Sequence, residues 1–149
     1  MNTSYQNLSR WVYRAITVAL GVLFIYGGIQ KFVPKPPPVS APATELPAHV
    51  VKIKSFIGGL KQTGYFWPML GVTEILCGVL LLSQVLSLLG AVMLVPLTLN
   101  IFLFHLFLEP HETGELLLTL LYLLANLFVL AYHYPKLKYA FLPSKPALN

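Results

Sequence analysis

Four apolar runs, separated by polar punctuation, dominate the chain. They cover roughly residues 11–32, 66–82, 86–108 and 116–134. Runs of about 20 apolar residues match the thickness of a bilayer core, so each is expected to be a membrane-spanning helix. Only Ser83, Gln84 and Val85 separate the second run from the third, and so short a turn makes those two helices antiparallel neighbours. Trp11, Tyr13, Tyr65, Trp67, Tyr132 and Tyr134 stand near the run ends, where amphipathic rings favour the headgroup level. Pro68 suits the first turn of the second span, and Pro96 is expected to kink the third.

The connection 33–65 is the one long loop. Its proline-rich first half, with Pro34, Pro36, Pro37 and Pro38, reads as extended and semi-rigid. In its second half Val50, Ile53, Phe56, Ile57 and Leu60 fall on one helical face, with Lys52, Ser55 and Gln62 opposite. This pattern predicts a short amphipathic helix lying in the interface and capping the bundle, although Gly58 and Gly59 weaken it. The expectation is therefore an all-α chain, a single membrane domain over residues 1–149, built as a four-helix bundle with an interfacial helix between spans one and two.

Composition agrees with the pattern. Of 149 residues 56% are hydrophobic and only 10% charged, against about a quarter charged in soluble domains. The net charge of +5 does not imply nucleic acid, because no window joins clustered Lys/Arg to a readable nucleic-acid fold. Cys77 is the single cysteine, which excludes an internal disulfide, a CxxC redox pair and a cysteine metal cage. An even number of spans puts both termini on one side. Arg10, Arg14, Lys136, Lys138 and Lys145 then face Lys31, Lys35, Lys52, Lys54 and Lys61 across the bilayer, a tie under the positive-inside rule. Glu45, Glu109, Glu112 and Glu115 all fall opposite the termini, which favours cytoplasmic termini weakly. Arg10 and Arg14 before the first run, with Ala41-Pro42-Ala43 after it, faintly imitate a cleaved signal, but the run is long for a signal core and is expected to stay.

Polar residues inside spans carry the chemistry. Thr17, Gly21, Phe24, Gly28 and Lys31 share one stripe of span one, and Gly71, Glu74 and Gly78 share one of span two. Small residues allow close backbone approach, so these stripes are expected to pack together and to bring Lys31 towards Glu74. Glu74 lies six residues past Pro68, about 9 Å deeper, a distance that a lysine can nearly cover. Either the two charges neutralise each other and pin the helices, or Glu74 is a protonatable or ligand-binding group.

Span three offers Thr98, Asn100 and His105. Asn100 is about 140° from His105 around the helix, so the three are not expected to share a pocket without local unwinding. Span four carries Glu115, Thr119, Tyr122, Asn126 and His133 in one stripe, which reads equally as interhelical hydrogen bonding or as a seam facing a cavity. His105 and His133 lie near opposite faces of a bilayer ~30 Å thick and cannot share a haem. His105, Glu109, His111 and Glu112 match no strong ligand spacing, so no metal is expected.

The run from Gly21 through Tyr26, Gly27, Gly28 and Lys31 to Phe32 resembles the first-helix signature of the DoxX-like family (DoxX/DoxD). Gly64-Tyr-Phe-Trp-Pro68 follows, then Gly71-Val-Thr-Glu74-Ile-Leu-Cys-Gly78, then a helix ending Asn100-Ile-Phe-Leu-Phe-His105. The resemblance covers about residues 15–134. The proline-rich insert and the acidic loop after His105 depart from compact members. It implies a four-helix inner-membrane bundle with cytoplasmic termini, and an association with thiosulfate:quinone oxidoreductase subunits and redox-stress complexes. Gly28, Lys31, Glu74, Gly78 and His105 carry over by position, without a catalytic role.

Three classes of function follow. In the first, the chain is a subunit of a quinone-linked oxidoreductase, with Lys31, Glu74, Asn100, His105, Tyr122 and Asn126 as candidate ligand residues and quinone as the cofactor. In the second, it binds or transports a small lipophilic ligand. In the third, it is a structural or assembly factor in which polar residues and Gly21, Gly28, Gly71 and Gly78 hold the helices together. A partner subunit or homo-oligomer fits any of them.

Overall fold

The computed structural model describes residues 3–34 and 47–141. The proline-rich segment 35–46, Ala41-Pro42-Ala43, Glu45 and Lys145 lie outside the described residues. The chain forms α1 (Thr3–Gln30), α2 (Ala48–Gln62), α3 (Phe66–Leu82), α4 (Ser87–Leu108), α5 (Thr113–Tyr132) and α6 (Tyr134–Phe141). All regular structure among the described residues is helical.

Three helices are long and apolar enough to cross a membrane alone: α1 within Asn7–Gln30, α4 and α5. The fourth, α3, has 17 residues, about 26 Å of rise, and is short for a ~30 Å core. It follows α2 through a bend of 88°, so α2 runs across the bundle end while α3 runs along it. Gly64, at φ 76°, takes the left-handed conformation that this corner requires. Val50, Ile53, Ile57 and Leu60 of α2 are half-buried and Phe56 more exposed, the face read from the sequence.

Two boundaries moved for physical reasons. α1 starts about two turns before Trp11 because polar residues continue the helix outside its apolar run. α5 starts at Thr113, not Leu116, and Glu115 in its first turn complements the positive helix end. The sequence reading missed α6. Pro135 there sits in the first turn, where a missing N–H is harmless.

Packing runs in a ring. α1 lies most extensively on α3, α4 on α5, α3 on α4, and a smaller α1–α5 contact closes the bundle. The α1–α3 seam is a backbone contact: a Cβ on Gly28 would stand 2.6 Å from the Gly71 carbonyl, and one on Gly78 2.6 Å from the Gly21 carbonyl. No side chain fits there without separating the helices. Gly90 does the same for α4, where a Cβ would meet the Cys77 carbonyl at 3.0 Å.

The apolar core is small: Leu20, Phe24, Cys77, Leu81, Ala91, Leu94 and Val129 are buried, along with Tyr13. Val22, Tyr26 and Ile29 on α1 and Val72, Leu76 and Val79 on α3 point outwards. So much outward apolar surface suits hydrocarbon as solvent. The α3–α4 turn places Gln84 at φ 58°, a strained conformation for a side-chain residue. Its amide compensates by donating to Thr17 Oγ1 and the Leu81 carbonyl, both at 3.0 Å.

Candidate functional site: an apolar cavity with a buried ion pair

α2, α3 and α4, with the end of α1, border a half-open cavity of about 590 Å³. Phe56, Ile57 and Leu60 come from α2, Phe66, Trp67, Leu70 and Glu74 from α3, and Pro96, Leu97, Asn100, Ile101, Phe104 and His105 from α4. Lys31 completes the wall. The lining is mostly aliphatic and aromatic with a few polar groups, the usual makeup of a small-molecule site.

Each polar group has a local reason for its position. The last turn of α1 closes with the Lys31 N–H donating to the Gly28 carbonyl at 3.1 Å, which starts the Lys31 side chain beside α3. Close approach at Gly28 and Gly71 then lets Lys31 Nζ donate to Glu74 Oε2 at 2.5 Å, with the side chains 17% and 6% exposed. The Glu74 carboxylate also borders Gly27, where a Cβ would be 3.8 Å away. Trp67 faces Lys31, whose Nζ is 5.5 Å from the ring centre, and Lys61 of α2, whose Nζ is 4.9 Å away. Both ammonium groups are within cation–π range.

His105 Nδ1 lies 2.7 Å from Glu109 Oε2 but out of line, so this buried nitrogen has no aligned hydrogen-bond partner. Asn100 and His105 both line the cavity despite their 140° separation, while Thr98 is buried and is not among its lining residues, so the three do not share it. The i, i+4 rows 96-100-104 and 97-101-105 run obliquely around α4, and an oblique cleft touches both rows. No unwinding is needed, and α4 is helical through Pro96.

Tyr122 and Asn126 are not among the cavity residues. Asn126 is fully buried, and its amide donates to the Ala91 carbonyl at 3.2 Å and points at Thr98 Oγ1 at 3.5 Å. Thr119 donates to its own helix at Glu115 and Leu116. Within the span-four stripe, Asn126 thus makes an interhelical hydrogen bond and Thr119 an intrahelical one. Among the described residues no three His, Cys, Asp or Glu side chains converge as a metal site. His111 instead approaches His49 of α2, with ring centres 6.3 Å apart.

A second polar joint lies at the opposite end of the bundle. Ser87 Oγ donates to the Gln84 carbonyl at 3.0 Å, so Tyr13 OH donates to Ser87 Oγ at 2.6 Å. Tyr13 then accepts from His133 Nε2 at 2.9 Å, which assigns the Nε2–H tautomer. Tyr13 also stacks on Tyr132 at 4.3 Å. Burial, and after it the Lys136 ammonium, holds the His133 imidazole below its ordinary pKa.

Sequence reasoning missed the aromatic wall of the cavity. Trp67 read as an interfacial anchor, and Phe104 as one apolar residue among many. The available signal was Phe104 following Asn100 by one turn; its partner Phe56, 5.7 Å away between ring centres, comes from α2 and is visible only in the fold.

A DoxX family model matches residues 15–106, which contain Lys31, Glu74, Asn100 and His105. The chain belongs to the DoxX family. The match ends before α5, so Tyr122 and Asn126 lie outside it. No curated protein and no solved structure matches the chain significantly. DoxX membership and the apolar helices make this an integral membrane protein.

Proposed function

We propose that the cavity receives the ring headgroup of a membrane quinone, and that this DoxX protein is an accessory, quinone-interacting subunit of a membrane redox system. The observation that carries this reading is the Lys31–Glu74 pair in the wall of an apolar cavity of about 590 Å³. A flat ring suits the Phe56, Phe66, Trp67 and Phe104 surfaces. Asn100 supplies an amide donor for a ring carbonyl, and His105 a second polar group. Lys31 and Glu74 hold a proton between ammonium and carboxylate at the cavity wall, where it can be passed to or from a ligand oxygen. The electron chemistry belongs to the quinone and to a partner, because one buried thiol offers no relay. Residence in the plasma membrane with cytoplasmic termini is part of the same proposal.

The test is a titration of detergent-solubilised protein with a short-chain quinone, read by thermal unfolding, with mass spectrometry of whatever co-purifies. A raised midpoint that disappears in Glu74→Gln supports the reading. An unchanged midpoint at saturating quinone, with no quinone co-purifying, removes it.

A specific observation favours a second reading, a structural or assembly factor. Lys31 and Glu74 stand at the end of the glycine seam, where a neutralised pair fastens α1 to α3. On that reading the pair can be replaced by apolar residues without loss of cellular function.

A further inference from the structure

Beside the main cavity lies a smaller hollow of about 280 Å³, lined by Gln30, Lys31, Phe32, Val33, Pro34, Lys61 and Trp67. Trp67 and Lys31 belong to both walls, so the indole divides an apolar compartment from a basic one. The ammonium groups of Lys31 and Lys61 both approach the Trp67 ring, at 5.5 and 4.9 Å. Only one of them has a carboxylate: Lys31 is paired with Glu74, while no ion pair involves Lys61 among the described residues. Among the described residues no acidic side chain lines the hollow. Among the described residues the Lys61 charge is therefore uncompensated. Phe32 and Val33 of its lining are exposed apolar residues that offer hydrocarbon-facing surface.

We infer that this hollow is the headgroup site of an anionic phospholipid, whose phosphate lies between Lys61 and Lys31 while its chains run down the exposed apolar surface beside it. A basic, acid-free recess with an apolar rim is complementary to an anionic amphiphile. A zwitterionic lipid brings its own cation and gains less from the uncompensated charge. A free inorganic anion leaves the rim unused. The Trp67 ring fixes the Lys61 ammonium, so part of the cost of ordering that long side chain is met before the lipid arrives. The site shares Lys31 and Trp67 with the main cavity, but its unpaired ammonium, that of Lys61, is not among the main-cavity residues.

The test uses delipidated, detergent-solubilised protein titrated separately with phosphatidylglycerol, phosphatidylcholine and inorganic phosphate, with thermal midpoint and native mass spectrometry as readouts. Phosphatidylglycerol is expected to raise the midpoint and stay bound, and the other two to do neither. Lys61→Gln should weaken phosphatidylglycerol binding about fivefold, the contribution of one interfacial ammonium, and Lys61→Arg should preserve it. Lys52→Gln, an exposed change on the same helix outside the hollow, should leave it unaltered. Lys61 is exposed, so its variants fold, and their lipid-free midpoints verify this. Equal effects of the two lipids, reproduction of the shift by inorganic phosphate, or equal losses in Lys52→Gln and Lys61→Gln would each overturn the site. Glu74→Gln separates the two proposals: it removes the quinone effect, whereas phosphatidylglycerol binding persists or tightens, because Lys61 stays in place and Lys31 is released from its carboxylate.

Discussion

Lys31 and Glu74, 43 residues apart in sequence, meet at 2.5 Å where the glycine seam between α1 and α3 reaches the cavity. The contact follows from the backbone. Only helices that touch at Gly28 and Gly71 bring a lysine at the end of one to a carboxylate two turns inside the other. The pair is nearly buried, so removing one partner strands the other charge. Lys31→Met and Glu74→Leu are each expected to cost about 3 kcal/mol, while the double change recovers most of the loss. Chemical or thermal unfolding in detergent measures all three. A double variant that is stable yet inactive in cells assigns the pair to function; one that is stable and active assigns it to packing.

Glycines on two helices should respond with opposite signs. Gly78→Ala puts a Cβ 2.6 Å from the Gly21 carbonyl and must part α1 from α3. Overpacking of this kind costs about 1–3 kcal/mol. Gly58 on α2 has nothing within 4 Å of a built Cβ, so Gly58→Ala should stabilise α2 by up to about 1 kcal/mol. Thermal midpoints of the two variants, compared under one detergent condition, provide the check.

These contrasts also show where the sequence was legible. Apolar run length located the spans, and three-and-four spacing found the Gly21, Gly28, Gly71 and Gly78 stripes because helical period alone decides which residues share a face. The same arithmetic separated Asn100 from His105, since it describes one helix and not a cleft crossing that helix obliquely. Tyr122 and Asn126 could not be assigned a direction, because a polar stripe looks identical whether it meets a cavity or the Ala91 carbonyl. The pairing of Lys61 with Trp67 depends on the 88° corner between α2 and α3, which no local pattern encodes.

At the far end of the bundle the Ser87–Tyr13–His133 chain joins the α3–α4 turn, α1 and the end of α5. Tyr13→Phe removes the shared hydroxyl and should cost about 1–2 kcal/mol. The pH dependence has a definite sign. His133 is held below its ordinary pKa, so the unfolded chain takes up a proton first as pH falls. The contribution of His133 is therefore complete above about pH 6.5 and is lost as pH drops from there through the lower folded value. Unfolding midpoints between pH 7.5 and 5 should decline in the parent protein and decline less in His133→Gln.

Asn100 offers the cleanest separation of ligand binding from folding. It lines the cavity and is exposed, and among the described residues its side chain has no hydrogen-bond partner. Replacing it with leucine therefore breaks no internal bond and should change stability by no more than about 0.5 kcal/mol. If its amide donates to a quinone carbonyl, Asn100→Leu loses one hydrogen bond of about 1 kcal/mol, which is about a fivefold weaker dissociation constant. Asn126→Leu provides the mirror image. It removes a buried bond to α4 and should destabilise the bundle without a direct effect on the cavity. A quinone titration of both variants, alongside their ligand-free midpoints, distinguishes the two roles. Weakened binding with unchanged stability in Asn100→Leu places the ligand in the cavity; binding indistinguishable from the parent protein removes Asn100 from the site.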